Sequence, residues 1–491
     1  LLNEGVISQQ DVDTIGERLS QALDAAQAAA KQKPFDPTID PGSKRWQGIG
    51  GKHTFEPVST AVPREMIREV CAALGRTPQD FKPNPKLKTL LKSRAGLLES
   101  GSLNHADAEM LAFGTLLLEG TLVRLSGQDC RRGTFSQRHA MFRDYETGQP
   151  YVPLNTMREV GLHGTETAPG TPGEDGRPRQ ARFNVYDSPL SEFAVVGFEY
   201  GYSLADPNML VCWEAQFGDF VNGAQTIIDQ YIASAELKWE RWSGMVMLLP
   251  HGYEGAGPEH SSARVERFLE LCAGNNIMVC HPSTAAQHFH MLRRQVKQPF
   301  RKPLIVLTPK GNLRKETSNI SELSDGRFHE VLDDPAFTGD KPADPGAVTR
   351  IIMCSGKVYH DLAERRDSEK RKDIAIVRLE QLYPFHTAAI SAILDRYPKS
   401  AQVVWVQEEP RNQGPYLFIA DQFRTRLGVD LPFIGRDASS SPAVGSKAAH
   451  KAQQEAILAT AIDKHGQQAG GDNAKRAVPA ASGRKPVKAS A

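Results

Sequence analysis

An α/β fold of two parallel-sheet domains, preceded by a helical and irregular segment, is what this sequence predicts. Three observations carry that expectation. Short apolar runs alternate with helical patterns from about residue 121 to 307. A cluster of Pro335, Gly339, Pro342 and Pro345 then breaks the rhythm, and from residue 349 the rhythm resumes. Strand–helix alternation of this kind makes neighbouring strands parallel and lays helices on both faces of the sheet.

Residues 1–100 form the lead-in. Val12, Ile15, Leu19, Leu23 and Ala26 fall at helical spacing within an alanine-rich stretch, so residues 1–32 are expected to be helical. Lys33 to Pro63 is punctuated by prolines and the glycines around Gly50, and reads as an irregular surface excursion. Helices are expected at 64–74 and 86–98. Asn104 is placed to cap a helix over 105–119, where Ala106, Met110, Leu111, Phe113, Leu117 and Leu118 form an apolar stripe.

The first α/β domain is assigned to 101–332. Its strands are expected at 121–125, 182–186, 209–213, 245–249, 277–280 and 304–307, with helices at 192–205, 222–236, 262–272 and 283–296. The run from Gly164 to Arg179 is rich in glycine and proline and reads as a surface loop; its Glu-Asp-Gly is not a metal fragment, because no apolar run leads into it. The second domain, 346–465, offers strands at 349–354, 373–379 and 402–407. Helices are expected there at 357–370, 386–396, 415–428 and 446–462. The tail, 466–491, has five basic residues against one acidic and no periodicity, so disorder is expected.

Composition removes several function classes. In 491 residues, 59 Lys and Arg face 58 acidic residues, which argues against a nucleic-acid partner. No apolar run approaches the ~18 residues that a membrane span needs. The six cysteines show no Cys-x-x-Cys pairing and are expected to be reduced and mostly buried. No signal peptide is visible, and a cytoplasmic location is the default.

Glu192 is the most informative residue. It stands in an apolar, small-residue run and opens a glycine-punctuated helix. A carboxylate there is costly to bury without a partner. By itself it better fits a helix-start residue in a capping box. Leu190 alone fits a core leucine as well as an apolar support for a ligand, Gln216 and Phe220 read as ordinary packing, and His260 as a helix-capping side chain. His260 follows a glycine-rich stretch and precedes Ser-Ser-Ala, at the end of a loop. His139 and His251 read as structural.

Four long blocks alter that balance. They are Arg124–His139 (RLSGQDCRRGTFSQRH), Ser188–Glu192 (SPLSE) with Gly197–Gly201 (GFEYG), Trp213–Gln225 (WEAQFGDFVNGAQ), and Leu249–Arg264 (LPHGYEGAGPEHSSAR). Through them the chain, over residues 1–465, resembles the carboxy-terminal half of the first, decarboxylating component of 2-oxoglutarate dehydrogenase. The resemblance implies transketolase-type domains, a pyrimidine-binding one and a carboxy-terminal one. It implies thiamine diphosphate and magnesium as cofactors and an obligate homodimer. The implied reaction is oxidative decarboxylation of 2-oxoglutarate in the tricarboxylic acid cycle. The succinyl group would pass to the lipoyl domain of a dihydrolipoyl acyltransferase, with dihydrolipoyl dehydrogenase in the same complex.

The resemblance also implies roles. Glu192 matches the glutamate that shares a proton with the cofactor's pyrimidine nitrogen, favouring the tautomer whose exocyclic nitrogen acts as base. Leu190 matches the apolar wedge beneath the cofactor, Gln216 the contact to the pyrimidine edge, and Phe220 the stacking ring, with Phe217 its competitor. His260 matches the histidine that donates to an anionic substrate oxygen or moves a proton. These five residues are expected to share one open-sided concavity at a subunit interface. Cys130 and Arg131 depart mildly from the family pattern. A larger departure is the family's Gly-Asp-Gly…Asn module, which has no match here. The chain is therefore expected to be a fragment, inactive alone and without metal ligands. The alternatives are a 2-oxoadipate dehydrogenase, a 2-oxoglutarate decarboxylase, and a non-catalytic assembly or regulatory subunit.

Overall fold

A computed structural model describes residues 1–32, 44–339 and 341–463. The expected irregular excursion at 33–63 is thus described only from residue 44, and the expected disordered tail lies outside the described residues. Two units are present, Leu1–Gln47 and Gly48–Ala491. In the first, helix α1 (Gln9–Gln32) forms as the periodicity predicts, yet none of its residues is buried. Ile15, Leu19 and Leu23 are exposed.

The second unit holds two large sheets and two small two-stranded ones. The first contains β1 (Val123–Gly127), β2 (Phe183–Asp187), β3 (Leu210–Glu214), β4 (Val246–Pro250), β5 (Met278–Cys280) and β6 (Leu304–Thr308). The second contains β7 (Val331–Leu332), β8 (Arg350–Cys354), β9 (Ile374–Leu379), β11 (Gln402–Pro410) and β12 (Phe433–Arg436), while β10 (Gln381–Tyr383) lies between β9 and β11 in the chain. Their orders are β10-β5-β6-β4-β3-β1-β2 and β7-β9-β8-β11-β12. Parallel pairing holds throughout except at one edge of each sheet. There β10 runs antiparallel to β5, and β7 antiparallel to β9.

Those edge strands are exchanged between the two halves of the sequence. β7 lies within the expected first domain but pairs in the second sheet, and β10 does the reverse. The proline-rich connection is pinned as well. Asp334 is fully buried, is ion-paired with Arg366 and accepts the Ile376 amide at 2.7 Å.

Helices α2 (Arg64–Leu74), α3 (Lys88–Ala95) and α4 (His105–Leu118) lead into the first sheet. α4 starts where the sequence says it should, Asn104 Oδ1 accepting the Asp107 amide at 2.9 Å. It is buried on every side, not along one stripe, because α2 and α7 (Ala285–Lys297) pack against it. Truncating Phe113 in that core to alanine would cost about 3–5 kcal/mol. α5 (Glu192–Ala205) follows β2, and α6 (Val265–Glu270) precedes β5. α8 (Val358–Ser368), α9 (Thr387–Leu394), α10 (Tyr416–Leu427) and α11 (Lys447–Ile462) belong with the second sheet.

Three helices differ from expectation. The one expected at 86–98 is split into a 3₁₀ turn (Pro85–Leu87), α3 and a short helix (Leu97–Ser100), with Gly96 between the last two. The one expected at 222–236 is broken into a 3₁₀ segment (Gly218–Ala224), a single α turn, a π turn (Ile228–Ile232) and a short helix (Ala235–Trp239). Mid-helix π turns widen the backbone where side chains must be re-aimed. The one expected at 262–272 begins only at Val265, because the Ser262 and Ala263 amides bond to Asp219 and His251, and Arg264 is left-handed at φ 55°. All six cysteines are free thiols, five of them buried. Among the described residues no helix is long and apolar enough to cross a membrane.

Candidate active site

Loops leaving the carboxyl ends of β1, β2, β3 and β4 meet along one edge of the first sheet, the edge where open parallel sheets bind ligands. β1 delivers Gln128 and Asp129, β2 delivers Leu190 and Glu192, β3 delivers Gln216 to Phe220, and β4 delivers the loop that carries His260.

Glu192 is the first residue of α5. The capping role falls to Ser191, whose hydroxyl accepts the Ala194 amide. The Glu192 side chain turns instead toward β1, where Gln128 Nε2 donates to its Oε1 at 2.9 Å. It is half-buried, and among the described residues no cation pairs with it. Its second oxygen faces Gly223; a Cβ there would come within 3.1 Å of Oε2. Leu190, two residues earlier, is 83% exposed. A core role for that leucine is therefore ruled out.

Gln216 Nε2 donates to Asp129 Oδ2 at 3.4 Å, beside the Gln128–Glu192 contact. Phe217 lies flat against His260, with ring centroids 4.1 Å apart and planes inclined by 21°. Phe220 and Phe135 each present an edge relation to Phe217, at 5.9 and 5.6 Å. Phe217, the competitor for cofactor stacking, thus already has one face on the histidine, and Phe220 is half-buried next to it. Gly218 is required by packing, since a Cβ would sit 2.6 Å from both Ala263 Cβ and Pro250 O. Asp219 anchors the far end of the His260 loop, its Oδ2 accepting the amides of Ser261 and Ser262 at 3.2 and 2.9 Å. Lys310 donates to the His260 carbonyl.

All five predicted side chains therefore lie along this one edge. Contacts tie Glu192 to Gln128, Gln216 to the adjacent Asp129, and Phe220 and His260 to Phe217. His139 stacks on Phe142 away from them, and burial and nearby arginines lower its pKa to about 4. His251 is buried and bonds to Glu409, as taken up below.

Sequence reasoning missed a buried network at the same edge. Arg138 is 1% exposed and bridges two carboxylates, Nε to Glu109 at 2.6 Å and Nη1 to Glu214 at 2.7 Å. Burial acts to raise the Glu109 pKa, but the charge of Arg138 and the hydrogen bonds of His288 and Arg138 hold it below the usual range. At Glu214 burial wins, and its pKa is raised. Separations of 29 and 76 residues left no local pattern to find.

Comparison with known proteins matches residues 102–316 to the family "Transketolase, pyrimidine binding domain" and residues 317–462 to "2-oxoglutarate dehydrogenase C-terminal". The chain is 43% identical over 463 residues to a 2-oxoglutarate dehydrogenase E1 component of Cupriavidus necator, covering 91% of this chain and 46% of that protein. It is 43% identical over 471 residues to the protein of that name from Rickettsia conorii, covering 94% and 48%. The Brucella anthropi protein of the same name is 42% identical over 483 residues, covering 94% and 46%. The chain spans about half the length of the curated relatives it matches.

Proposed function

Because the chain belongs to the family of 2-oxoglutarate dehydrogenase E1 components, we propose that it forms the aminopyrimidine side of a thiamine diphosphate site in an enzyme that oxidatively decarboxylates 2-oxoglutarate. The cofactor, when bound, supplies the electron sink that decarboxylation of a 2-oxo acid needs. One observation supports this reading above the others. Glu192 is a half-buried carboxylate, freed from capping by Ser191 and held in place by Gln128, with a bare leucine two residues away. Such a group is costly to keep without a partner, and a ring nitrogen that shares its proton is a fitting one.

Glu192 would hold the pyrimidine nitrogen, Gln216 the ring edge, Phe220 would offer a face and Leu190 apolar support to the cofactor. His260, braced by Phe217, donates to an oxygen of the 2-oxo acid or moves a proton there. Among the described residues no group of three or more His, Cys, Asp or Glu is set to hold a metal ion. In this reading the ligands for magnesium and the diphosphate come from the part of the relatives that this chain does not span. In the full-length homodimer that part would come from the partner subunit across the interface. The exposed Leu190, Phe193 and Phe198 give the interface an apolar patch. The succinyl group passes to the lipoyl domain of a dihydrolipoyl acyltransferase, where the lipoyl disulfide is the two-electron acceptor and is opened to a thioester and a thiol; once the acyl group has moved on, dihydrolipoyl dehydrogenase reoxidises the dithiol. The relatives' name favours 2-oxoglutarate over 2-oxoadipate.

Calorimetry tests the division of the site. This chain alone is expected to give no measurable heat with thiamine diphosphate and magnesium. The full-length enzyme is expected to bind both and to reduce ferricyanide in the presence of 2-oxoglutarate. Micromolar binding by the chain alone would overturn the division.

A further inference from the structure

The loop from His251 to Arg264 is closed at its base by a side chain from the second sheet. Glu409, on β11, is 5% exposed, and its Oε1 lies 2.8 Å from His251 Nε2. His251 Nδ1 accepts the Ala263 amide at 3.0 Å, twelve residues on. An amide can only donate, so Nδ1 is the bare nitrogen and Nε2 carries the proton that Glu409 accepts. Burial acts to raise the Glu409 pKa, but the hydrogen bond from His251 brings it below the usual range, so the acceptor is a carboxylate. His281 lies edge-on to His251 at 5.5 Å, and burial, with His251 beside it, lowers its pKa to about 3, so it stays neutral. Lys357 is engaged by Glu408, leaving Glu409 to the histidine.

The same loop is closed a second time by Gly252 N donating to Ser261 O at 2.9 Å. Its glycines at 252, 255 and 257 all have positive φ, a backbone that side chains do not stiffen. The imidazole of His251 therefore ties the loop's two ends together, one turn of chain away from His260. His260, stacked on Phe217, lies three residues before Ala263.

We propose that Glu409 is a positioning residue for the reaction, fixing the His251 tautomer so that His251 clasps Ala263 and holds His260 in register. The assignment rests on the reading of His260 as a catalytic residue. It also gives the second sheet a part in the chemistry, although no residue of that sheet is among the five at the site. The relay is short: carboxylate, imidazole, amide, loop.

Hydrogen exchange of this chain and turnover of the full-length enzyme test the relay separately. Glu409→Ala is expected to speed exchange across residues 252–263 by about tenfold, the loss of one buried charge-assisted bond. In the full-length enzyme it should lower kcat by up to about 100-fold with KM nearly unchanged, as misplacement of a reacting group does. Glu409→Gln still offers an oxygen to Nε2–H and is expected to restore both readouts to within about threefold. Should Glu409→Ala unfold the chain, H251F/E409L removes both polar groups without stranding a charge and is expected to give the same faster exchange. Unchanged exchange over 252–263 in the folded variant, or a Gln variant as damaged as the Ala variant, overturns the relay. Full turnover by His260→Ala would instead overturn the catalytic reading, and the exchange result would stand.

Discussion

Two carboxylates at one edge of the first sheet have opposite surroundings. Glu214, at the end of β3, is 5% exposed and saturated by Arg138, which Glu109 shares. Glu192, just past β2, is half-buried with Gln128 as its partner and bare Leu190 close by in the chain. A buried acid whose counter-charge is built in has its electrostatics settled inside the chain, and its role is to join loop to core. An acid in a half-open setting, with a neutral amide for company, has capacity left for a ligand. The difference lies in the partners, because the residue type and the sheet edge are the same.

The sharpest way to break that comparison is Glu192→Gln in the full-length enzyme. The amide keeps shape and the Gln128 contact but cannot share a proton with a ring nitrogen. Turnover should fall by about 10³- to 10⁴-fold, or about 4–5 kcal/mol, with unchanged melting. Near-normal turnover would make Glu192 another structural acid like Glu214.

Arg138→Met should do the reverse. It strands Glu109 and Glu214 in the core and should cost about 3 kcal/mol of stability, read by denaturant unfolding of this chain. The sign with pH follows. In the parent, the lowered pKa of Glu109 gives stability that is present above the unfolded value and lost as pH falls through the folded one. Without the guanidinium both acids are raised, so the variant's deficit should be largest at neutral pH and shrink on acidification. A deficit independent of pH would mean that packing, and not charge, holds this region.

Much of this was legible in the sequence. The strand–helix rhythm located α4, α5 and most strands, because long apolar runs and the Asn104 cap are local signals. The edge strands β7 and β10, two and three residues long, carry no periodicity, so their exchange between sheets was invisible. The helix expected at 222–236 was wrong in form because hydrophobic spacing cannot distinguish an α turn from the π turn at Ile228–Ile232. Glu192, Leu190, Gln216, Phe220 and His260 were found through long motif blocks, whereas the residues taken singly favoured bland roles for all but Leu190, where the balance was even. Arg138 and the His251–Glu409 pair, the latter 158 residues apart, needed the fold.

Gly218→Ala probes the seam between the β3 and β4 loops. The new Cβ would stand 2.6 Å from Ala263 Cβ and Pro250 O, so the 216–220 segment or the His260 loop must shift. About 1–3 kcal/mol of stability should be lost. Turnover should fall with it, because the shift acts on Phe217 and His260 together. Loss of stability with turnover intact would separate the histidine from the chemistry.

Leu190→Ala has the smallest expected effect on the chain and isolates the ligand's share of the comparison. At 83% exposure the side chain has almost no protein contact to lose, so unfolding of this chain should change by less than about 0.5 kcal/mol. If the leucine is the wedge beneath a bound cofactor, its area becomes buried only in the loaded full-length enzyme. Burying a leucine side chain contributes about 1.5–3 kcal/mol. Part of that should appear as weaker cofactor binding, about tenfold by calorimetry, beside the unchanged stability. A truncation that alters neither quantity would leave Leu190 an ordinary exposed leucine, and the open edge would then owe its ligand capacity to Glu192, Gln216 and Phe220 without it.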